Sequence, residues 1–325
     1  VPHRPLRLLL PLLLCLGFAW PAAAQSYPTR PVRLILPFAA GGGTDVMTRV
    51  IAEHLGAQLG QRVLVENITG AGGTIGTERV IRSEADGYTL LLATMNLVSI
   101  NPALYRGLSV DIPQGLAPVS LLLETGHIIV TNPRTPFRSL GELAAAATAA
   151  PRSITFASGG TGTSTHLYGE LFRYLTRAEI VHVPYRGNGP ALADVIAGHV
   201  DAMFDQVPNS AEQVQAGRVR AIAVTTTERL PFAPDVPTAA EAGLPGLMGT
   251  SWAGLSAPRG TPAAIIARLN AAVRSVLAEA EVRGRLQTLG ATARVSTPEE
   301  FGALVASELE KWTAVIRAAN LTANP

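Results

Sequence analysis

Residues 34–45 read Leu34-Ile-Leu-Pro-Phe-Ala-Ala-Gly-Gly-Gly-Thr-Asp45: an apolar strand runs into three glycines and then into a helix that opens on an acid. No other feature constrains the fold as tightly. A strand that hands over to a helix through glycines is the building unit of an α/β sheet, and its backbone approaches a ligand with no Cβ in the way. The helix start adds free N–H groups and the positive end of a dipole, so the turn has the outline of an anion site. The same arrangement recurs twice. Asn67-Ile-Thr-Gly-Ala-Gly-Gly-Thr-Ile-Gly76 follows a short strand at 63–65, and Ser158-Gly-Gly-Thr-Gly-Thr-Ser164 follows a strand at 154–157. Ligands of open α/β sheets bind outside the carboxyl ends of the strands, so three such cradles predict one shared crevice for a carboxylate or phosphate. The second segment lacks the last glycine of G-x-G-x-x-G, and no loop carries the lysine of a P-loop, so neither nucleotide fingerprint is present.

Apolar runs at 32–36, 63–65, 89–93, 128–131, 154–157, 180–183, 202–204, 221–225 and 252–255 alternate with helical stretches, which argues for parallel sheets with helices on both faces. Ser139 with Glu142, Thr238 with Glu241 and Thr297 with Glu300 have capping-box spacing, and Thr261-Pro262 places a cap before a proline at the first helical position. Residues 261–279 and 298–319 read as long packing helices. A length of 325 residues argues against a single sheet, so two α/β lobes are expected.

The first 24 residues read as an export signal. Arg4 and Arg7 precede an apolar stretch at 8–20, and Ala22-Ala23-Ala24 forms a cleavage site that leaves Gln25 first. The stretch is too short for a stable span, and no later one reaches the roughly 18 apolar residues a membrane helix needs. Cys15, the only cysteine, is preceded by Leu14 where a lipid anchor expects a small residue. Without the leader, 24 basic residues face 24 acidic ones, so the net charge of +2 belongs to the precursor. No basic block remains, which argues against nucleic acid as a partner.

The cradles nominate Phe38, Ala40, Gly41, Gly42, Gly72, Gly73, Ser158, Gly159 and Thr163 as ligand contacts, with His166 on the helix that follows. Asp45 either caps its helix or faces the ligand. Thr94 and Asp205 end strands, as ligand contacts or as turn residues. Tyr185, Arg186 and Gly187 form another such turn, where Arg186 either pairs bidentately with a second carboxylate or stands solvated on the rim. Ser158, Ser164, His166, His182 and Asp205 could be drawn as a hydrolase set, but Gly162-Thr-Ser-Thr-His166 is not the G-x-S-x-G elbow. The histidines are dispersed and unpaired with cysteine, so no catalytic residue, metal or cofactor is expected.

In order along the chain, several segments resemble a known family: Tyr27-Pro-x-Arg-Pro-Val-Arg33, Pro37-Phe-x-Ala-Gly-Gly-x-x-Asp45, Val65-Glu-Asn-x-x-Gly-Ala-Gly-Gly-x-Ile-Gly76, Asp86-Gly-Tyr-Thr-Leu-Leu91, Phe156-Ala-Ser-Gly-x-x-Gly-Thr163, His182-Val-Pro-Tyr-Arg-Gly-x-x-Pro-Ala191 and Trp252-x-Gly-x-x-Ala-Pro-x-Gly-Thr-Pro262. The chain is similar to the extracytoplasmic solute receptors of tripartite tricarboxylate transporters, the Bug family of periplasmic binding proteins. It departs from them at Ile68-Thr69, where a basic residue and proline are common, and at Gly115-Leu116. The resemblance implies a two-lobed flytrap of the periplasmic-binding-protein type II fold, each lobe a largely parallel sheet flanked by helices. Lobe one would comprise residues 25–123 and 250–325, and lobe two residues 124–249. It further implies a periplasmic, monomeric, non-enzymatic protein that captures a small organic carboxylate and delivers it to the membrane components of the transporter. The rival readings are an exported α/β hydrolase-like enzyme and a ligand sensor for a signalling partner.

Overall fold

The computed structural model describes residues 27–38, 40, 41 and 43–322, so the expected leader at 1–24 and the nominated Gly42 lie outside the described residues. Ten strands form among them: β1 (Val32–Leu36), β2 (Val63–Asn67), β3 (Thr89–Thr94), β4 (Leu116–Thr131), β5 (Thr155–Ser158), β6 (Val181–Pro184), β7 (Ala202–Gln206), β8 (Arg220–Val224), β9 (Thr250–Pro258) and β10 (Thr292–Ala293). The expected α/β class is met. The strand order is β2-β1-β3-β9-β4-β7-β5-β6, with β8 and β10 added to β4.

Parallel pairing, predicted from the alternation, holds at both ends of this order: β1 with β2 and β3, β5 with β6 and β7. The middle is antiparallel. There β9 pairs with β3 and β4, and β4 pairs with β7, β8 and β10. The sequence pattern shows only the last few residues of β4, which is 16 residues long. Pro118 and Gly126 break the apolar run, and the ladder tolerates the proline through a register shift between Pro118 and Ser120. Residues 116–126 of β4 pair with β9, while residues 127–131 pair with β7. One strand thus ties two sets of strands together.

Helices Gly43–Leu59, Ser164–Thr176, Asn188–Ala197 and Val207–Gln215 follow β1, β5, β6 and β7, so each starts at the carboxyl end of its strand. Thr297 and Glu300 exchange both bonds of a capping box, at 3.1 and 2.8 Å, and open the helix Pro298–Ala318. Ser139 accepts the Glu142 N–H at 3.2 Å and caps Leu140–Ala149. Thr238 and Glu241 also exchange both bonds, yet only a turn follows, because Gly243 takes a φ of +82° and Pro245 comes next. Thr261 turns its hydroxyl back to the Pro258 carbonyl at 2.8 Å, and Pro262 rather than Thr261 caps the helix Ala263–Ala278. The helix Pro298–Ala318 backs β9: the Phe301 ring packs edge-on against Trp252 at 5.4 Å, over Gly254, where a Cβ would collide with it. That packing fixes the Trp252 ring from behind.

Candidate ligand-binding site

A cavity of about 330 Å³ opens at the carboxyl ends of the strands. Four helices bring their first residues to its wall: Gly43 and Thr44, Ser164 and Thr165, Asn188, and Pro208 with its neighbour Gln206. Thr94 at the end of β3 and Ser251, Trp252 and Ala253 of β9 complete the polar side, while Phe38, Met47, Leu123 and Leu289 contribute apolar surface. No described residue in the wall carries a charge. Two residues of the wall, Thr94 and Trp252, each bury a polar side-chain atom, Oγ1 and Nε1, without a protein partner. A buried polar group left unpaired costs about 1–3 kcal/mol, which the wall bears at these two positions. A neighbouring cavity of about 370 Å³ shares Phe38, Asn96 and Thr163 with the first. Asn96 Nδ2 donates to the Gly162 carbonyl at 3.0 Å between the two.

Of the nominated residues, Phe38, Thr94 and Thr163 line the first cavity and Gly72 and Gly73 the second. The other nominated residues among those described line neither cavity. Asp45 is buried and accepts bonds from the Gly41 N–H, Arg49 Nε and Asn67 Nδ2, each at 3.0 Å. The Arg49 guanidinium, helped by those N–H groups, holds its carboxyl well below the usual range. The Gly41 N–H is therefore engaged inside the loop, and Ala40 and Gly41 are exposed away from the wall. The Gly159 N–H goes to Thr165 Oγ1 at 3.0 Å, and a Cβ on Gly159 would collide with the Asn188 side chain. His166 Nδ1 accepts the Gly162 N–H at 3.1 Å. Tyr185 donates its hydroxyl to Asp194 at 2.6 Å, Gly187 donates its N–H to the Gly159 carbonyl at 3.1 Å, and Arg186 is exposed and lines neither cavity. Asp205 is fully buried and takes the Gln206 N–H at 2.8 Å and Asn209 Nδ2 at 2.6 Å, with Ser210 as a further donor. Burial pushes its carboxyl up to about 6 against those bonds.

One pair has the look of a nucleophile and its base: Ser158 Oγ lies 2.6 Å from His182 Nε2. Burial, and after it the neighbouring His166 ring stacked at 3.8 Å, lower the His182 imidazole to about 3. A base that weak does not draw a proton from a serine near neutral pH. Ser158 is also wholly buried and lines neither cavity, and Asp205 is tied to residues 206–210 instead of the imidazole.

The motif order read from the sequence has a counterpart in known proteins. A family model described as "Tripartite tricarboxylate transporter family receptor" matches residues 47–321. The chain belongs to this family. Protein BugT of Bordetella pertussis is 38% identical to it over 302 residues, which cover 93% of this chain and 93% of BugT. Among solved structures, an R. palustris protein with adipate matches at a TM-score of 0.78 and 34% identity, covering 92% of this chain and 100% of that one. MatC from Rhodopseudomonas palustris with bound malate matches at 0.75 and 37%, covering 89% and 100%.

The wall residues that the sequence reading missed differ in how they could have been found. Ser164 and Thr165 stand directly after the cap Thr163, where a capped helix still has free N–H groups. Met47 lies one turn beyond Gly43 on the same helix. Asn188 follows Gly187, whose φ of +116° turns the chain into the helix. Ser251 carried no local signal and Trp252 only that of a strand run and a family motif, because the pairing of β9 with β3 and β4 is what brings them to the cavity.

Proposed function

We propose that this receptor is exported to the periplasm, closes two lobes over a small organic carboxylate and hands it to the membrane components of a tripartite tricarboxylate transporter. The observation that carries the reading is the meeting of four helix starts on one uncharged cavity at the carboxyl ends of the strands. Each helix end contributes about 0.3–1 kcal/mol toward an anion, and each hydrogen bond to a charged group about 1.5–3 kcal/mol. Together they reach the roughly −8 kcal/mol of micromolar binding with no cationic side chain. The adipate and malate of the solved relatives agree with a carboxylate.

In this proposal residues 25–123 with 250–325 form one lobe and residues 124–249 the other; β4 runs through the boundary and changes partners just beyond it, between Gly126 and His127, and the Asn96 to Gly162 bond would join the two lobes. The ligand lies against Phe38, Thr94, Thr163, Ser164, Thr165 and Trp252, with Gly72 and Gly73 at the adjoining cavity. Cleavage after Ala24 frees the protein, which acts as a monomer without a cofactor and without catalysis; the weak His182 base speaks against the hydrolase reading.

Native mass spectrometry of freshly purified protein identifies a retained ligand, and thermal melts with that acid and its amide test the chemistry. At about 100 times Kd the acid adds roughly 2.7 kcal/mol, or about 4 °C for a chain of this size, while the amide leaves Tm unchanged. Equal shifts from acid and amide would remove the anion site.

A further inference from the structure

Gly162 is gripped from several sides. It takes a φ of +80°, and a Cβ there would collide with Leu104 of the short helix Asn101–Leu104. Its carbonyl accepts Asn96 Nδ2 at 3.0 Å, from the segment that follows β3. Its N–H donates to His166 Nδ1 at 3.1 Å, in the first turn of the helix Ser164–Thr176. Its neighbours Thr161 and Thr163 line the adjoining cavity, and Thr163 lines the first cavity as well. Where this one peptide sits therefore decides where that part of the wall sits.

An imidazole can serve the Gly162 N–H only through a bare Nδ1, so the ring proton belongs on Nε2. Nε2 faces Oε1 of Glu170 at 3.5 Å, and both side chains are buried. Burial raises the Glu170 carboxyl, but the bonds from His166 and Arg173 outweigh it and hold it below its ordinary value, so it is ionised and can only accept. Arg173 Nη1 donates to its two oxygens at 2.9 and 2.8 Å. A donor at one edge of the ring and an acceptor at the other thus demand the same tautomer. His182, stacked on the ring at 3.8 Å, is kept neutral mainly by its burial.

We infer that Glu170 is a positioning residue of the ligand site: it fixes the His166 proton on Nε2, and the bare Nδ1 then holds Gly162 where Asn96 meets it and where Thr163 forms the wall. Glu170 lines neither of these two cavities and acts only through the ring. The inference rests on the proposal above that the cavity at the strand ends takes the ligand.

Nitrogen-15 NMR of the mature protein labelled in histidine reads the tautomer, and hydrogen exchange at the Gly162 amide reads the bond, both without ligand. Wild type should show His166 protonated on Nε2 and bare on Nδ1. In Glu170→Leu the proton should move in part to Nδ1 and the Gly162 amide should exchange at least about tenfold faster, while Glu170→Gln, whose amide oxygen still accepts, should recover most of both. His166→Asn places an acceptor where Nδ1 stood and should protect the amide better than His166→Gln, whose polar end reaches only the place of Nε2. Calorimetric affinity for adipate and malate, the acids of the solved relatives, should fall about threefold to tenfold in Glu170→Leu and less in Glu170→Gln. A wild-type ring protonated on Nδ1, equal protection in the two His166 variants, or wild-type tautomer and exchange in Glu170→Leu overturns the inference. So does a shifted tautomer with undiminished affinity, which would confine Glu170 to a structural role. If Glu170→Leu does not fold, the wild-type tautomer and the His166 pair decide. Wild-type protein that binds neither acid counts against the carboxylate reading, while the two ligand-free measurements still decide the role of Glu170 toward Gly162.

Discussion

His182 and His127 are both held down to about 3, mainly by burial, with His166 the next cause for the first and Lys311 for the second. Folded, they stay neutral; in the unfolded chain each takes up a proton below its ordinary value of 6.5. Their contribution to stability is therefore complete above about pH 6.5 and is lost as pH falls toward 3. Asp205, raised from 3.8 to about 6, acts in the opposite sense, adding stability as pH falls through that window. Two groups against one predict a net fall in Tm between pH 6.5 and 4. His182→Gln, which removes one of the two, should melt lower than wild type near neutral pH but lose less Tm across this range, as read by circular dichroism. Parallel melting curves for the two proteins would show that His182 is not the group responsible. The sequence made these polar residues visible at strand ends and beside glycines, but not the direction of their side chains. Asp45 is turned by Asn67 and Ser158 by His182, partners more than twenty residues away, and that decides which of them meet the cavity.

At the level of elements, β9 and the helix Pro298–Ala318 hold Trp252 in place through the contact of Phe301 with Gly254. Gly254→Ala would overfill that contact and should lower stability by about 1–3 kcal/mol, measured by urea unfolding. A variant as stable as wild type would mean that the helix shifts freely on the strand. Element type was legible wherever alternation and caps agreed, as at Val32–Leu36 or Pro298–Ala318. It failed where a later residue overruled the signal: Gly243 and Pro245 cut the helix announced by Thr238, and Pro118 hid most of β4 behind a bulge. Strand order was not legible at all, since β9 enters between β3 and β4 from more than a hundred residues away.

For the whole molecule, the consequence of an uncharged wall fed by helix starts is kinetic. Proteins that collect anions with lysines and arginines cast a field into solution, and their association rates fall as salt screens it. Here the chain beyond residue 24 has equal numbers of acidic and basic residues, and the attraction proposed above acts through dipole ends that fade within a turn. Stopped-flow capture of a carboxylate should therefore keep nearly the same association rate constant from about 0.02 to 0.3 M salt, within roughly twofold. A drop of tenfold or more would reveal a long-range field. A receptor built this way draws its ligand by diffusion alone, so its catch does not depend on how briny the surrounding fluid becomes.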